Sequence, residues 1–447
     1  MQQNSTDWPN LKQLEQLLWR QLQETFSVVM KRLLEEIDQQ IAEARDKRRY
    51  RLLGKRPLSF TSLFGELRMK RTYYRDRTDG GCVYLLDRYL NLAKAAHLSP
   101  MIEEAAIELA IQGPSYRKAA QALETFLGYQ GMSHETIRQH LLEISALPKA
   151  REPVQRQVLF VEVDGLYVKH QGKGKRGKEE KIAAVHQGWE VNGKRVRLKN
   201  KRHFIYRGGK PFWEAFEDFL IAHYAYDPTV HRLVINGDGA AWITACRDYF
   251  RDRAFFSIDR FHVAREIRRL FRDHPRFVPM KKALASYKGK RLLAELNSAV
   301  GTLGTEKKEE QLDQLIKQLE QYPEALGDYR KWLADQGIET TGMRPMGSAE
   351  GTMSAFAKRL KHGRSWVEKG KQAMMTGMVA CFDQLAIQTL FGRMARWKEE
   401  PAEEKPPRHY EEKIAHTVGE EIRGNLPYLQ GKASIPVYSA LTALQGF

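Results

Sequence analysis

Two short apolar runs each close on an aspartate: Val158-Leu159-Phe160-Val161-Glu162-Val163-Asp164-Gly165 and Leu233-Val234-Ile235-Asn236-Gly237-Asp238-Gly239. Runs this short, rich in branched residues and ending in glycine turns, predict strands buried inside a sheet rather than helices. Around them the pattern alternates. The strand ending at Asp164 is followed by a basic loop, residues 172–178, then by an apolar run at 182–186 and a third candidate strand at 195–199. Residues 211–224 carry Phe212, Ala215, Phe216, Phe219 and Leu220 at helical spacing. The strand ending at Asp238, a helix over 240–250 and a last run at 254–258 complete the series.

Three strands, helix, strand, helix, strand is the order of an RNase H-like fold, in which the first and fourth strands lie side by side in a mixed sheet. Asp164 and Asp238 would then face a common point. A third carboxylate is available at Glu350, in Gly347-Ser348-Ala349-Glu350-Gly351, at the start of a basic helix. Two hard cations about 4 Å apart can activate an attacking oxygen and stabilise a leaving one, and such cations select oxygen ligands. Three converging carboxylates therefore suit phosphodiester cleavage and joining. The bland alternative is that Asp238 caps a helix and Asp164-Gly165 forms a turn.

The intervening segment, 263–340, reads as helical throughout, with Leu312, Leu315, Ile316 and Leu319 on one face, so it predicts an all-helical insertion. At its entrance stands Asp259-Arg260-Phe261-His262, an Asp-x-x-His pair after a strand. Before the catalytic candidate, residues 11–51 carry Leu14, Leu17, Leu18, Leu22 and Phe26 at helical spacing. Residues 67–74 and 82–86 flank Asp79-Gly80-Gly81, a hairpin signal. From 116 to 142, two short helices joined by a glycine-bearing turn suggest a helix-turn-helix, with Ser133 as the second N-cap and His134, Thr136, Arg138 and Gln139 exposed. An ordinary packed helix pair fits the same spacing.

The expected organisation is an N-terminal helical region (1–56), a β-hairpin region (57–92) and a helix-turn-helix domain (93–147). An α/β RNase H-like core (155–262 and 341–398), its helical insertion (263–340) and a tail (399–447) follow. Charge points to the partner: 73 Lys+Arg against 55 Asp+Glu leave +18, which suits a polyanion such as DNA. Lys173, Lys175 and Arg176 in the first loop, and Lys358, Arg359, Lys361 and Arg364 after Glu350, are candidate phosphate contacts, with Trp366 a candidate for base stacking. Trp189, Trp213 and Trp242, and the stripe Met374, Met375 and Met378, read as core. No apolar run of about 18 residues that could span a bilayer occurs, and the first residues do not resemble a signal peptide. Cys82, Cys246 and Cys381 stand far apart, in no metal or disulfide pattern, so a cytoplasmic chain is expected.

Taken together, Val163-Asp164-Gly165, Asn236-Gly237-Asp238-Gly239, Asp259-Arg260-Phe261-His262 and Gly347-Ser348-Ala349-Glu350-Gly351 with Lys358-Arg359-Leu360-Lys361 resemble an insertion-sequence DDE transposase of the ISLre-two family, related to the Mutator-like group. The resemblance covers most of the chain. It implies that Asp164, Asp238 and Glu350 bind two Mg²⁺ or Mn²⁺ ions, that Asp259 and His262 support the site, and that no other cofactor is needed. The implied substrate is double-stranded DNA, at the element's terminal inverted repeats and at its target. A homodimer or larger assembly is expected, because two DNA ends must meet. The alternatives are a structure-selective nuclease sharing the fold, which does not join ends, and a DNA-binding regulator with an inactive catalytic domain.

Overall fold

Hydrophobic periodicity decides where the elements form. The computed structural model describes residues 10–90, 92, 98–144, 147, 157–172, 177–385, 387–390 and 416. The described residues fall into two units, one formed by the segment up to 144 with 387–390, the other by 147–385.

In the first unit a long helix, α1 (Leu11–Ala44), starts at a reciprocal cap between Asn10 and Gln13. Strands β1 (Tyr50–Ser62), β2 (Gly65–Asp76) and β3 (Cys82–Val83) form an antiparallel sheet. Its inner face buries Leu58, Phe60, Leu67 and Met69 against Leu34 of α1, with Met30, Ile37 and Ile41 alongside. Here the expectation is corrected. The main hairpin is β1 with β2, turning at 63–64, and strand begins at Tyr50, ahead of the boundary expected at residue 57. The Asp79-Gly80-Gly81 turn does join two strands, Tyr74 pairing with Val83, but β3 stops after two residues because Leu85 begins the short helix α2 (Leu85–Tyr89).

Helices α3 (Pro100–Gln112), α4 (Tyr116–Leu127) and α5 (His134–Leu142) follow, burying Ile102, Ala106, Ile107, Ala119, Leu123, Ile137 and Leu141. The turn between α4 and α5 needs a glycine, since Gly128 caps α4 at φ +79°, a region in which a side chain is strained. Ser133 then caps α5 by accepting the Thr136 N–H.

The second unit is built on a five-stranded mixed sheet ordered β10-β9-β4-β5-β8. Its strands are β4 (Val158–Val168), β5 (Lys178–His186), β8 (Arg202–Ile205), β9 (Arg232–Gly237) and β10 (Ala254–Ile258). A separate ribbon, β6 (Trp189–Asn192) with β7 (Arg195–Leu198), lies outside that sheet. The run expected as the third core strand is thus half of a ribbon, and Arg202–Ile205 takes that place. Strands β4, β9 and β10 are mutually parallel, whereas β5 is antiparallel to both β4 and β8.

Alternation along β4 divides its neighbours. Leu159, Val161 and Val163 face the larger core, with α6 (Phe212–Tyr224), α7 (Ala241–Thr244) and α8 (Cys246–Phe250). Helices α9 (Arg260–Phe271), α10 (Phe277–Ala285), α11 (Gly289–Asn297) and α12 (Glu306–Gln321) extend the same core. Val158 and Phe160 face the other way, with Val234, Met343, and Tyr329 and Leu333 of α13 (Tyr329–Asp335). Helices α14 (Ala349–Leu360) and α15 (Glu368–Phe382) close the unit. Met374, Met375 and Met378 are buried in α15, and Trp213 is buried with its N–H donated to the Trp242 carbonyl. Trp189 is half-buried against Phe160.

Candidate active site

Register brings the aspartates together. The last parallel pair between β4 and β9 is Glu162 with Asn236, so two residues further on Asp164 stands opposite Asp238. Between β9 and β10 the last pair is Gly237 with Ile258, so Asp238 stands level with Asp259, whose N–H is donated to the Gly237 carbonyl at 2.7 Å. Three aspartates therefore form a row where the parallel pairing of three neighbouring strands runs out. All three lie on the sheet face that carries Val158, Phe160, Val234 and Phe255. One expectation is corrected here: Asp164 does not end its strand, because β4 runs on to Val168 in its pairing with β5. Asp164 sits where β4 loses its parallel neighbour.

Two glycines make the row possible. A Cβ on Gly237 would meet Ile243 Cγ2 of α7 at 2.6 Å, with the Val163 carbonyl oxygen of β4 at 3.3 Å, so the packing of Ile243 onto β9 leaves no room for a side chain there. Gly239 has φ +89°, turning the chain directly after Asp238. Gln318 of α12 donates to the Asp238 carbonyl at 2.7 Å, which ties the helical segment to this turn.

Each aspartate also has a local partner. Asp164 Oδ1 accepts its neighbour's N–H, that of Gly165, at 2.7 Å. Asp238 Oδ1 accepts the Ala240 N–H at 3.0 Å. Asp259 is buried; it caps α9 through the Phe261 N–H at 2.8 Å and holds His262 Nδ1 at 2.9 Å through its other oxygen. Burial pushes the Asp164 carboxyl up to about 6, and the nearby charges of Asp238 and Asp259 push the same way, against the Gly165 N–H and His262. The hydrogen bond to Asp259 raises the His262 imidazole, which favours its charged form.

The start of α14 is fixed to the same face by Glu162, a residue that sequence reasoning passed over inside an apolar strand. Glu162 is 1% exposed. Its Oε1 accepts the N–H groups of Gly347 at 2.9 Å and Ser348 at 2.8 Å, and its Oε2 accepts those of Ala349 at 3.3 Å and the Asn236 side chain at 2.9 Å. A carboxylate at a helix N-terminus satisfies donors that would otherwise be orphaned and meets the positive end of the helix dipole. Lys201, its pKa lowered by burial and raised in part by Glu162, donates to the Thr352 hydroxyl at 2.9 Å.

Glu350 follows in the first turn of α14 and is exposed. Among the described residues, no group of three or more His, Cys, Asp or Glu is arranged to hold a metal ion. Asp164, Asp238 and Glu350 are thus not drawn into a finished cage. The donor set still suits a hard cation, since neighbouring carboxylates that burial and mutual repulsion penalise are relieved by positive charge.

The expected phosphate contacts fare unevenly. Lys358 and Lys361 are exposed. Arg359 is instead buried, its guanidinium 5.4 Å from the Trp366 ring, and Trp366 is itself buried with its N–H donated to the Leu360 carbonyl. Neither reaches a base or phosphate in this arrangement. Arg364 is half-buried and donates to the carbonyls of Lys358 and Lys361, closing the end of α14. Arg138 is exposed but held by Glu135 at 2.6 Å, and Gln139 donates to the same carboxylate. Lys173, Lys175 and Arg176 lie outside the described residues, as do 399–407 and 435–444. No helix among the described residues is long and apolar enough to cross a membrane.

Comparison with known proteins follows the same span. A UPF0236 protein in the vanSb 3' region of Streptococcus gallolyticus is 28% identical over 385 residues, covering 83% of each chain. A UPF0236 protein of Caldanaerobacter subterraneus subsp. tengcongensis, which carries eleven locus designations in that organism, is 25% identical over 251 residues. That match covers 55% of this chain and 52% of the relative, so the chain spans about half the relative's length. Among solved structures, a Drosophila P element transposase strand transfer complex aligns over 74% of this chain and 80% of its own at 13% identity, with a TM-score of 0.25. Residues 4–399 match the family described as "Uncharacterised protein family (UPF0236)", and the chain belongs to that family.

Proposed function

We propose that this chain is a DNA transposase, with an RNase H-like core formed by the five-stranded sheet and a site for Mg²⁺ or Mn²⁺ at Asp164, Asp238 and Glu350. The observation that carries the reading is the row of Asp164, Asp238 and Asp259 on one face of three adjacent strands, with burial and like charge pushing the Asp164 carboxyl up to about 6. Structural aspartates rarely gather so that their charges oppose one another, and such clusters are where function resides.

Bound cations would polarise the phosphate and lower the pKa of an attacking water or hydroxyl. Asp164 and Asp238 hold oxygen donors on rigid strands. Glu162 keeps the first turn of α14, and with it Glu350, on the face that carries them. Asp259 orients His262 and adds negative charge beside the pair. The α4–α5 pair serves as a helix-turn-helix, offering Arg138 and Gln139 to terminal repeats, while Lys358 and Lys361 hold backbone phosphate near Glu350. Support comes from the net charge of +18, from the motif resemblance, and from a relative with eleven locus designations in one organism, the pattern of a gene that multiplies within its genome.

The test is incubation of purified protein with labelled DNA flanking its own gene, in Mg²⁺ or in EDTA. The expected result is strand cleavage at the element ends and joined products in Mg²⁺ alone, with Asp238→Asn binding the DNA but leaving it intact. Cleavage without joined products would favour the nuclease reading. Undiminished cleavage by Asp238→Asn would reject the site.

A further inference from the structure

Between Tyr50 and Asp76 the chain carries seven Lys and Arg against two acids. Both acids are engaged: Asp76 is buried and paired with Arg49 at 3.1 Å, and Glu66 is paired with Arg68 at 2.7 Å. Alternation along β2 switches phase midway. Leu67 and Met69 pack on Leu34 of α1, but further on Thr72 donates to Asp38 of that helix at 2.6 Å and the Tyr74 ring lies 5.7 Å from Arg45 at its end. Arg68, Lys70 and Arg75 are thereby left on the side away from α1, and all three are exposed. Cross-strand partners add Arg51, opposite Arg75, and Arg56, opposite Arg71; both are exposed.

In the chain alone this arrangement is unfavourable. Arg51 stands directly across from Arg75, and like charges so placed destabilise a sheet. The charge of Arg71 is met by Asp87 at 2.8 Å, whereas Arg56 lies 6.0 Å from the Tyr73 ring. Arg51, Arg56, Lys70 and Arg75 pair with no carboxylate among the described residues. Protection of an open strand edge accounts for Lys55 and Pro57 on β1. It does not account for Arg75, which is paired on both sides, with Arg51 of β1 and Cys82 of β3.

We propose that the exposed cations of the β1–β2 ribbon form a binding surface for duplex DNA, separate from the α4–α5 pair, that grips phosphates without reading bases. From Arg68 to Arg75 the track runs about 24 Å at 3.4 Å per residue, the length of about seven base pairs. Anions bound along it would offset the repulsion between Arg51 and Arg75. Neither Asn nor Gln, the side chains suited to reading adenine, occurs in Tyr50–Asp76. A lipid surface would also call for an apolar face. Of the large apolar residues on the two strands only Leu52 and Leu53 are exposed, beside the bulge between Leu52 and Gly54.

This inference rests on the reading that DNA is the partner but not on the metal site, so its test is binding rather than cleavage. In EDTA, fluorescence anisotropy measures the affinity of the full chain for a short labelled duplex unrelated to the element ends, over about 50–200 mM salt. Each phosphate contact adds about 0.9 to the slope of log affinity against log salt. Arg56→Gln with Lys70→Gln and Arg75→Gln is therefore expected to flatten the slope by about 2.7, so that roughly 40-fold less affinity is lost across that range. Lys70→Arg with Arg75→Lys is expected to keep the wild-type slope, and circular dichroism to match the wild type in both variants. Lys307→Gln with Lys308→Gln and Lys331→Gln removes the same charge from exposed positions of α12 and α13, and is expected to leave the slope unchanged. An unaltered slope in the ribbon variant, an equal change in the α12–α13 control, or binding to phosphatidylserine vesicles in place of the duplex would overturn the proposal. The two readings fail separately. A wild-type slope in the ribbon variant, with element ends still cleaved by the wild type, removes this surface alone; a flattened slope with no cleavage in Mg²⁺ removes the transposase alone.

Discussion

Glu162→Ala removes the acceptor that holds the start of α14. Four donors lose their partner at once: the N–H groups of Gly347, Ser348 and Ala349 and the Asn236 side chain, at 2.8 to 3.3 Å. Hydrogen bonds to a charged group contribute about 1.5–3 kcal/mol each, but they are not additive, and breaking a buried ionic network typically costs about 3–5 kcal/mol. Half-buried Lys201 also loses the carboxylate that favours its charged form. The expected loss is roughly 4 kcal/mol by urea denaturation, with Glu162→Gln losing about half, since its amide oxygen still accepts. Amide exchange should localise the effect: 347–350 lose protection in Glu162→Ala before the sheet does. A loss under about 1 kcal/mol, or unchanged exchange in this segment, would refute the claim that Glu162 anchors α14.

Other consequences are as direct. Gly237→Ala drives a methyl to 2.6 Å from Ile243 Cγ2, so a loss of about 1–3 kcal/mol is expected in denaturation, along with lost strand cleavage. Asp164 titrates about two units above its ordinary 3.8 in the folded chain, so between these values the native state holds more protons and stability falls as pH rises. In EDTA, Asp164→Asn should therefore be more stable than wild type above pH 6, by about 1–2 kcal/mol after discounting for partial exposure, and no more stable at pH 3.5. Mg²⁺ at pH 7.5 should raise the melting temperature of wild type and not of this variant. His186 behaves oppositely: burial brings its imidazole down to about 3, so the unfolded chain takes up a proton below about 6.5 while the native one does not. Stability should fall with acid through that window by up to ~1.4 kcal/mol per pH unit, and His186→Gln should flatten the slope in a pH series of urea melts.

What could be read from the sequence was what local pattern encodes. Apolar runs ending in Asp-Gly gave β4 and β9, and their parallel pairing aligned Asp164 with Asp238. Asp259 was visible only as part of an Asp-x-x-His pair; its place level with Asp238 depends on β10 pairing with β9, which no local signal carries. Glu162 was missed because its partners lie 185 to 187 residues away, and a lone charge in an apolar strand does not say what it will bind. Arg195–Leu198 does form a strand, but exposure on both faces leaves it in the β6–β7 ribbon, while Arg202–Ile205, half of it buried, joins the sheet. The basic run after Glu350 reads in the sequence as a set of phosphate contacts. Helical phase instead turns Arg359 inward with Phe356 and Leu360, where it stacks near Trp366.

Cation-directed cleavage of the polypeptide tests the proposed site most directly. Fe²⁺ substituted for Mg²⁺ generates radicals in ascorbate and peroxide that cut the backbone near the ion, and mass spectrometry then maps the cuts. The account predicts cuts clustered around 164, 238 and 350, suppressed by excess Mg²⁺ and by Asp238→Asn. Cuts that spare the first turn of α14, or that persist in the variant, would contradict it.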